Sequence, residues 1–403
     1  MPFRDAWLIV GGLLIFAGFA AEQPPVLAIG VIILVVGAVS RFWGKHLFDR
    51  VTMRRSLSQK RAFLGEKVPY SVELENKKLL PMPWYEWRIS LDDAVKVEGE
   101  ALAASAAPGT SSLVRKGALG WYEKHNWTFQ LQPDTRGYHI LGPGSVKSSD
   151  ILGLWPLRKE DEEKDALVVF PRIFTMEELG LPADRPMGER KGRNRLFEDP
   201  QRVAGLRDYH PGDPLKRIDW KATARRGELQ SRVYEPSATH QLYILVNIDT
   251  LAHSWEGYLK DDLERTISTA ASLAVWAAGA RYSVGLLANG SFPDADRPIR
   301  LAPSRSRDQL TKVLEALAVI QPLTMGDLAE AAHREAGRVP QGSTILLVAA
   351  LIPPPLAGAM ARFASEGHRV AIMATSKRVE PDSVPGVPVQ YVAGLEEWEG
   401  AAR

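Results

Sequence analysis

Two uncharged apolar runs open the chain, Ala6 to Ala21 and Pro24 to Ser40, and the second stops at Arg41. Each is near the lower length limit for crossing a bilayer core of about 30 Å at about 1.5 Å per helical residue. Glu22-Gln23-Pro24-Pro25 separates them as a polar, proline-marked turn, so residues 1–44 predict a transmembrane helical hairpin. Trp7 and the pair Phe42-Trp43 fall where interfacial aromatics belong. A cleaved signal peptide ending near Ala20 is the competing reading. Against it, a second apolar run follows at once and Arg4 alone makes a weak basic leader.

From about Val51 to Pro171 the period is two. Val68, Tyr70, Val72 and Leu74 alternate with Pro69, Ser71 and Glu73 before the turn Asn76-Lys77-Lys78. Tyr85, Trp87, Ile89 and Leu91 alternate with Trp84, Glu86, Arg88 and Ser90, and Trp127, Phe129 and Leu131 form another such run. Tyr138 to Leu141 is a further strand, closed by Gly142-Pro143-Gly144, whereas the featureless Ala101 to Gly109 reads as a loop. Short strands with Gly/Pro turns predict a β-sandwich over 45–171. The mixed-sign run Arg158 to Asp165 and the mostly basic run Arg185 to Arg195 read as solvated linker, the second also able to touch a membrane surface or a partner.

From His240 the pattern changes again. Leu242 to Ile248 is a continuous apolar strand, as in a parallel sheet covered on both faces. Leu263, Ile267, Ala270, Ala274 and Ala277 share one helical face. Further strands are predicted at Tyr282–Ala288, Thr344–Leu351, Val370–Thr375 and Pro388–Val392, with helices at Arg307–Ile320, Gly326–Arg338 and Pro355–Glu366. That alternation predicts an open, doubly wound α/β domain over 240–403, with 172–239 as linker.

Composition adds little to this and removes several options. A chain of 403 residues suits two soluble domains. A formal charge of +2 gives no bulk case for nucleic acid. The chain has no cysteine, so disulfides, thiolate metal sites and cysteine nucleophiles are excluded. Charge does set an orientation. Arg41, Lys45, Arg50, Arg54 and Arg55 follow the second apolar run, and the connecting turn carries only Glu22. The positive-inside rule then puts both ends, and everything after about residue 44, on the cytoplasmic side of the cell membrane.

The densest chemistry lies in the run from Gly205 to Arg226, with Arg207, Tyr209, Pro211, Gly212, Asp213, Arg217, Asp219, Trp220, Lys221 and Arg225 just ahead of an apolar strand. This stretch resembles the signature of the domain of unknown function 58 family. The resemblance implies membrane helices, a β-domain and a von Willebrand factor A-like domain, in the order seen here. It also implies a partner, a MoxR-type AAA+ ATPase, and a role as adaptor in the assembly or maturation of an unknown protein client. A third possibility is a membrane-tethered binder of an unknown peptide.

Bottom-up, the same residues have four readings. Asp208, Asp213 and Asp219 can pair with Arg207, Arg217 and Arg225 in a self-satisfied network, with Trp220 packed into a domain junction and Pro211-Gly212 turning to present Asp213. The segment can be a partner-contact surface. Arg207, Tyr209, Lys216, Arg217, Trp220, Lys221, Arg225 and Arg226 could grip phosphates with aromatic stacking, although the interleaved acids cancel much of that field and count against nucleic acid. Asp213, Asp219 and Lys221 could instead serve a metal-dependent hydrolase or nuclease, against which stands their closeness in sequence.

A von Willebrand A domain holds Mg²⁺ on an Asp-x-Ser-x-Ser loop, a Thr and a later Asp. Asp249 and Thr250 occupy that loop here and Thr324 matches the Thr, but Leu251, His253 and Ala349 stand where other oxygen ligands belong. The resemblance therefore implies a degenerate loop without metal. There is no phosphate-binding loop, serine-nucleophile elbow or zinc-spaced histidine pair, so no cofactor and no enzymatic activity are expected.

Overall fold

The computed structural model describes residues 6–105, 107–182, 198–211, 213, 215–236, 241–291, 298–340 and 342–394. The side chains of 198–204, 233–236 and 254 are outside that description. Gly212, Pro214, His240 and the basic run Arg185 to Arg195 also lie outside the described residues. The chain is mixed α/β and divides into two compact units, Met1–Arg172 and Ile173–Arg403.

In the first unit, α1 (Ala6–Ala20) and α2 (Pro24–His46) pack on each other. By length and composition α2 is long and apolar enough to cross a membrane, whereas α1 is a shorter apolar helix of 15 residues. α2 runs past Arg41, where the sequence pattern had ended it, and takes Lys45 and His46 into its last turn. The two helices meet along glycine. A Cβ at Gly18 would lie 2.5 Å from the backbone nitrogen of Leu27, and one at Gly37 would run into the Trp7 ring. Close approach of this kind needs small residues at the contact.

The strands of this unit are β1 (Val51–Leu57), β2 (Arg61–Phe63), β3 (Val68–Asn76), β4 (Met82–Asp92), β5 (Val95–Val97) and β6 (Ala103–Ala104). β7 (Thr110–Leu119), β8 (Lys124–Pro133), β9 (Gly137–Ser148), β10 (Leu157–Asp161) and β11 (Asp165–Phe170) complete them. One sheet has the order β1-β3-β8-β5 and a second the order β2-β11-β9-β4-β7-β6, with β10 also paired to β9. The alternating positions read from sequence are the buried ones on β3 and β4. Side chains of both sheets share one core, in which Trp87 of β4 stacks near-parallel on Trp127 and Phe129 of β8.

Two expectations are corrected here. Gly142-Pro143-Gly144 does not end a strand, because β9 continues through it to Ser148, where β10 pairs with it. Arg158 to Asp165 is not solvated linker but contributes β10 and the start of β11. An edge strand hydrogen-bonds along its backbone, so its side chains can be charged without disturbing the ladder. One of those charges faces inward. Arg55 of β1 has a side chain only 2% exposed, and its guanidinium lies 3.1 Å from Asp161 of β10 and donates to the Glu163 carbonyl at 2.6 Å. The pair ties the first sheet to the edge of the second.

In the second unit the elements are β12 (Glu198–Asp208), α3 (Trp220–Arg226), β13 (Gln230–Pro236), β14 (Gln241–Asn247), α4 (Lys260–Gly279), β15 (Ser283–Ala288), β16 (Gly290–Ser291) and β17 (Ile299–Ser304). Then come α5 (Gln309–Val319), β18 (Gln321–Thr324), α6 (Leu328–Ala336), β19 (Thr344–Ala349), α7 (Pro354–Ser365), β20 (Arg369–Ala374) and β21 (Val389–Tyr391). The main sheet runs β17-β15-β14-β19-β20-β21, parallel except for β17. Tyr243 and Leu245 of β14 share a core with α6 and α7. Period two turns Leu242, Ile244 and Val246 to the other face, and α4 packs on β14 with its predicted stripe buried. The strand order reverses between β14 and β19, the point at whose carboxyl end open α/β sheets bind their ligands.

Breaking a buried ion pair by removing one partner typically costs about 3–5 kcal/mol, since the other charge is left without its counter-ion. Arg55→Ala should therefore lose roughly that much stability in chemical denaturation of the full chain. The apolar double replacement Arg55→Met with Asp161→Leu should recover most of it. A near-neutral Arg55→Ala would show that the pair does not hold the sheets together.

Candidate functional site

Two places gather polar side chains, the carboxyl end of β14 and the segment between β12 and β13. At the first, the apolar strand β14 ends in Asn247, with Ile248 and Asp249 just beyond. The Asn289 side-chain amide is the hub. Its nitrogen donates to Asn247 Oδ1 at 2.9 Å and to Asp249 Oδ2 at 2.8 Å, and its oxygen accepts from the Ile248 backbone N–H at 2.9 Å. Thr324 Oγ1 donates to Asp249 Oδ1 at 2.5 Å. Across the point of strand reversal, Asn247 Nδ2 donates to the Leu351 carbonyl at 2.9 Å. These partners fix the orientation of both amides.

Asp249 and Thr324, assigned to one loop site from sequence, are thus brought together. Thr250 is buried and does something else: its hydroxyl accepts from the Leu259 N–H at 2.8 Å and closes the loop after β14. Sequence reasoning missed Asn289. The available signal was an amide standing directly after the apolar strand Ser283–Ala288, where nothing else polar explains it. Both oxygens of Asp249 are held by neutral donors, and no group of three His, Cys, Asp or Glu side chains among the described residues could hold a metal ion. On the closed loop itself, Trp255 is 79% exposed and stacks on the His253 ring at 4.2 Å, with Tyr258 and Leu259 exposed beside it in sequence. Leu323, next to Thr324 on β18, is exposed as well.

The second place is a hairpin with a helical insertion. β12 and β13 pair antiparallel, and between them a single 3₁₀ turn, Leu215–Arg217, leads into α3. Asp219 caps α3, accepting from the Lys221 and Ala222 N–H groups at 3.0 Å each, and Gly227 ends it at φ 76°. The other Asp219 oxygen accepts from Arg232 Nε at 3.0 Å. Asp213 accepts from Arg207 at 2.6 Å and from the His210 N–H at 3.2 Å. The Asp208 carboxylate accepts from Gln230 Nε2 at 2.7 Å. Gln230 is fully buried, accepts from Arg226 on its oxygen and donates its backbone N–H to the Thr223 hydroxyl.

Charge pairing was expected here, and part of it was mispredicted. Arg207–Asp213 is the expected kind of pair, but Asp219 takes Arg232 rather than Arg217 or Arg225, because β13 lies alongside the start of α3. Nor is the network buried. Trp220 does not pack into a junction but is 67% exposed, being the first residue of a short helix whose inner side is filled by Ile218, Thr223 and Gln230. Asp213 and Asp219 are not brought together on a cation site, since each carboxylate serves its own turn. Hydrogen bonds from Arg207 and then His210 hold Asp213 below the usual carboxylate range. The Ala222 N–H and then Arg232 do the same for Asp219. Groups lowered in this way support the fold at neutral pH, and that support is lost as the pH falls through their folded values. Tyr209 donates weakly to the Asp213 carbonyl at 3.4 Å, and Pro211 is exposed.

With this geometry in view, residues 205–396 match the family described as protein of unknown function DUF58. A relative, the uncharacterized protein YeaD of Bacillus subtilis, is 23% identical over 228 residues, covering 54% of this chain. The chain spans about half, 51%, of that relative. Among solved structures, the CARDB domain of a Pyrococcus furiosus protein is similar at 14% identity and a TM-score of 0.21, covering 30% of this chain and 96% of the other. A cohesin module from a Clostridium perfringens family 33 glycoside hydrolase is similar at 9% identity and a TM-score of 0.21, covering 30% and 97%. Likenesses at that level carry no functional inference.

Two outcomes are expected. Calorimetric titration with millimolar Mg²⁺ should give no saturable heat, because amide and hydroxyl donors already occupy Asp249; saturable binding removed by Asp249→Ala would overturn this. Trp220→Ala should change stability by no more than about 0.5 kcal/mol, as surface substitutions do. Gly227→Ala, forced into a left-handed conformation, should cost about 1–2 kcal/mol. A large loss for Trp220→Ala would mean that the exposed helix face is covered.

Proposed function

We propose that the protein is a membrane-anchored adaptor that captures another protein on the carboxyl-end face of its parallel sheet. The observation that carries this reading is the bare Trp255 ring, propped on His253 at the place where open α/β sheets bind their ligands. Exposed aromatics of this size are the usual anchors of protein interfaces. The Asn289–Asp249–Thr324 network supports the same reading, because it braces the base of the loop with hydrogen bonds internal to the chain. In this reading the first unit is a β-sandwich and the second is a von Willebrand A-like domain. α1 and α2 form a two-helix anchor with the remainder in the cytoplasm, and the partner is a cytoplasmic AAA+ ATPase of the MoxR type acting on a protein client. The similarity of residues 205–396 to the DUF58 family is what favours that class of partner.

A photo-crosslinking residue at position 255 of the full chain, irradiated in native membranes with and without ATP, tests the reading. One discrete adduct is expected, carrying an ATPase and lost when a bulky charged residue replaces Tyr258. Absence of any protein adduct would sink the adaptor role. Reporter fusions at Arg403 and between Glu22 and Gln23 test the topology, and an external signal from the C-terminal fusion would overturn the cytoplasmic placement.

A further inference from the structure

Between Gly205 and Arg226 the sequence carries six basic and three acidic residues, and the fold sorts them further in space. Its acids are used up internally: Asp208 by Gln230, Asp213 by Arg207 and His210, and Asp219 by Arg232 and the helix N–H groups. Its cations are not. Lys216, Lys221 and Arg225 make no ion pair among the described residues, and Arg226 rests on the neutral Gln230 amide and keeps its charge available. Glu228 is the one exposed acid left in the stretch from Leu215 to Leu229. The exposed side of α3 carries Trp220, Lys221, Ala224 and Arg225, and Leu215, 72% exposed, stands directly before it. What water meets is a cationic surface carrying the Trp220 indole and the Leu215 side chain, above the buried Ile218, Gln230 and Ser231.

We propose that this face is a peripheral foot that lies on an anionic bilayer surface. Trp220 and Leu215 enter the interfacial layer, and Lys216, Lys221, Arg225 and Arg226 pair with lipid phosphates. The inference rests on the proposed membrane anchoring. A chain tied to a bilayer meets that surface at a high effective concentration, so even a weak contact is populated. The chemistry matches as well. An indole has an apolar body and a polar N–H, which suits the headgroup boundary, and flexible cationic side chains suit a fluid array of phosphates.

The chain lacks cysteine, so Ala224→Cys gives a single labelling site on this face. The full chain carrying an environment-sensitive fluorophore there is reconstituted into phosphatidylcholine vesicles, with or without about 30% phosphatidylglycerol. The label should be quenched by nitroxide-bearing lipids in the anionic vesicles and much less in the neutral ones, and the quenching should weaken at high salt. Lys221→Gln and Arg225→Gln should each lower the docked-to-free ratio about fivefold, the worth of one cation at an anionic surface. If the chain does not float with vesicles at all, the anchoring reading falls and this inference with it. If it floats but the label stays unquenched, or is quenched equally in neutral lipid, only the foot is overturned. Shielding of the label in native membranes but not in protein-free vesicles of the same lipids would assign the face to a protein and overturn the proposal too.

Discussion

The end of an apolar helix leaves carbonyl oxygens that need donors, and in this chain one ammonium supplies them. Lys78, buried beyond β3, donates to the carbonyls of His46 at 2.7 Å and Asp49 at 2.8 Å, and to that of Leu47. An ammonium has three protons and no acceptor, which matches three converging oxygens at the negative end of a helix dipole. Burial nevertheless pulls Lys78 down to about 8. Leu47, whose carbonyl Lys78 holds, is itself fully buried in the core of the two sheets. The junction between α2 and the β-unit is therefore part of the core and not a free tether. Whatever fixes the direction of α2 fixes that of the first strand.

Side chains in the second unit illustrate how the same residue types reach different ends. At the carboxyl end of β14 a carboxylate meets amide and hydroxyl donors and disappears into a neutral, directional network. Between β12 and β13, carboxylates cap a turn and a helix, and each removes one acid from the surface. In the first place the outcome is a shaped support for an aromatic loop. In the second it is a net cationic face, because the internal pairing of the acids adds to the excess of basic residues in the local sequence.

Much of this was legible in the order of residues. The period-two runs at Val68–Leu74 and Tyr85–Leu91, and the apolar strand at Leu242, correspond to β3, β4 and β14, because burial imposes its own spacing on the chain. The stripe Leu263, Ile267, Ala270, Ala274 and Ala277 is the buried face of α4 for the same reason. What was not legible depended on partners distant in sequence. β10 looks like linker because an edge strand needs only backbone pairing, and its burial of Arg55 is visible only once β1 is beside it. Asn289 gains its role from Asp249, 40 residues away, and Arg232 displaces the nearer arginines at Asp219 because the hairpin returns there. Trp220 was misjudged on residue type. A tryptophan favours burial on average, yet position one of a short helix with a filled inner side leaves it nowhere to go but outward.

The glycine contacts of the helical pair have a further consequence. Gly11 and Gly18 of α1, and Gly30, Gly37 and Gly44 of α2, are buried and fall at seven-residue intervals, so they form one line along each helix. Around them, large apolar side chains such as Phe16, Phe19, Ile32 and Val39 point outward. The inner line admits almost no substitution, since even a methyl group would meet backbone or ring atoms at Gly18, Gly30 and Gly37. The outer positions need only to be apolar. The pair thus holds its structural information in a narrow seam, and the greater part of its surface is free to drift among hydrophobic residues without altering how the two helices meet.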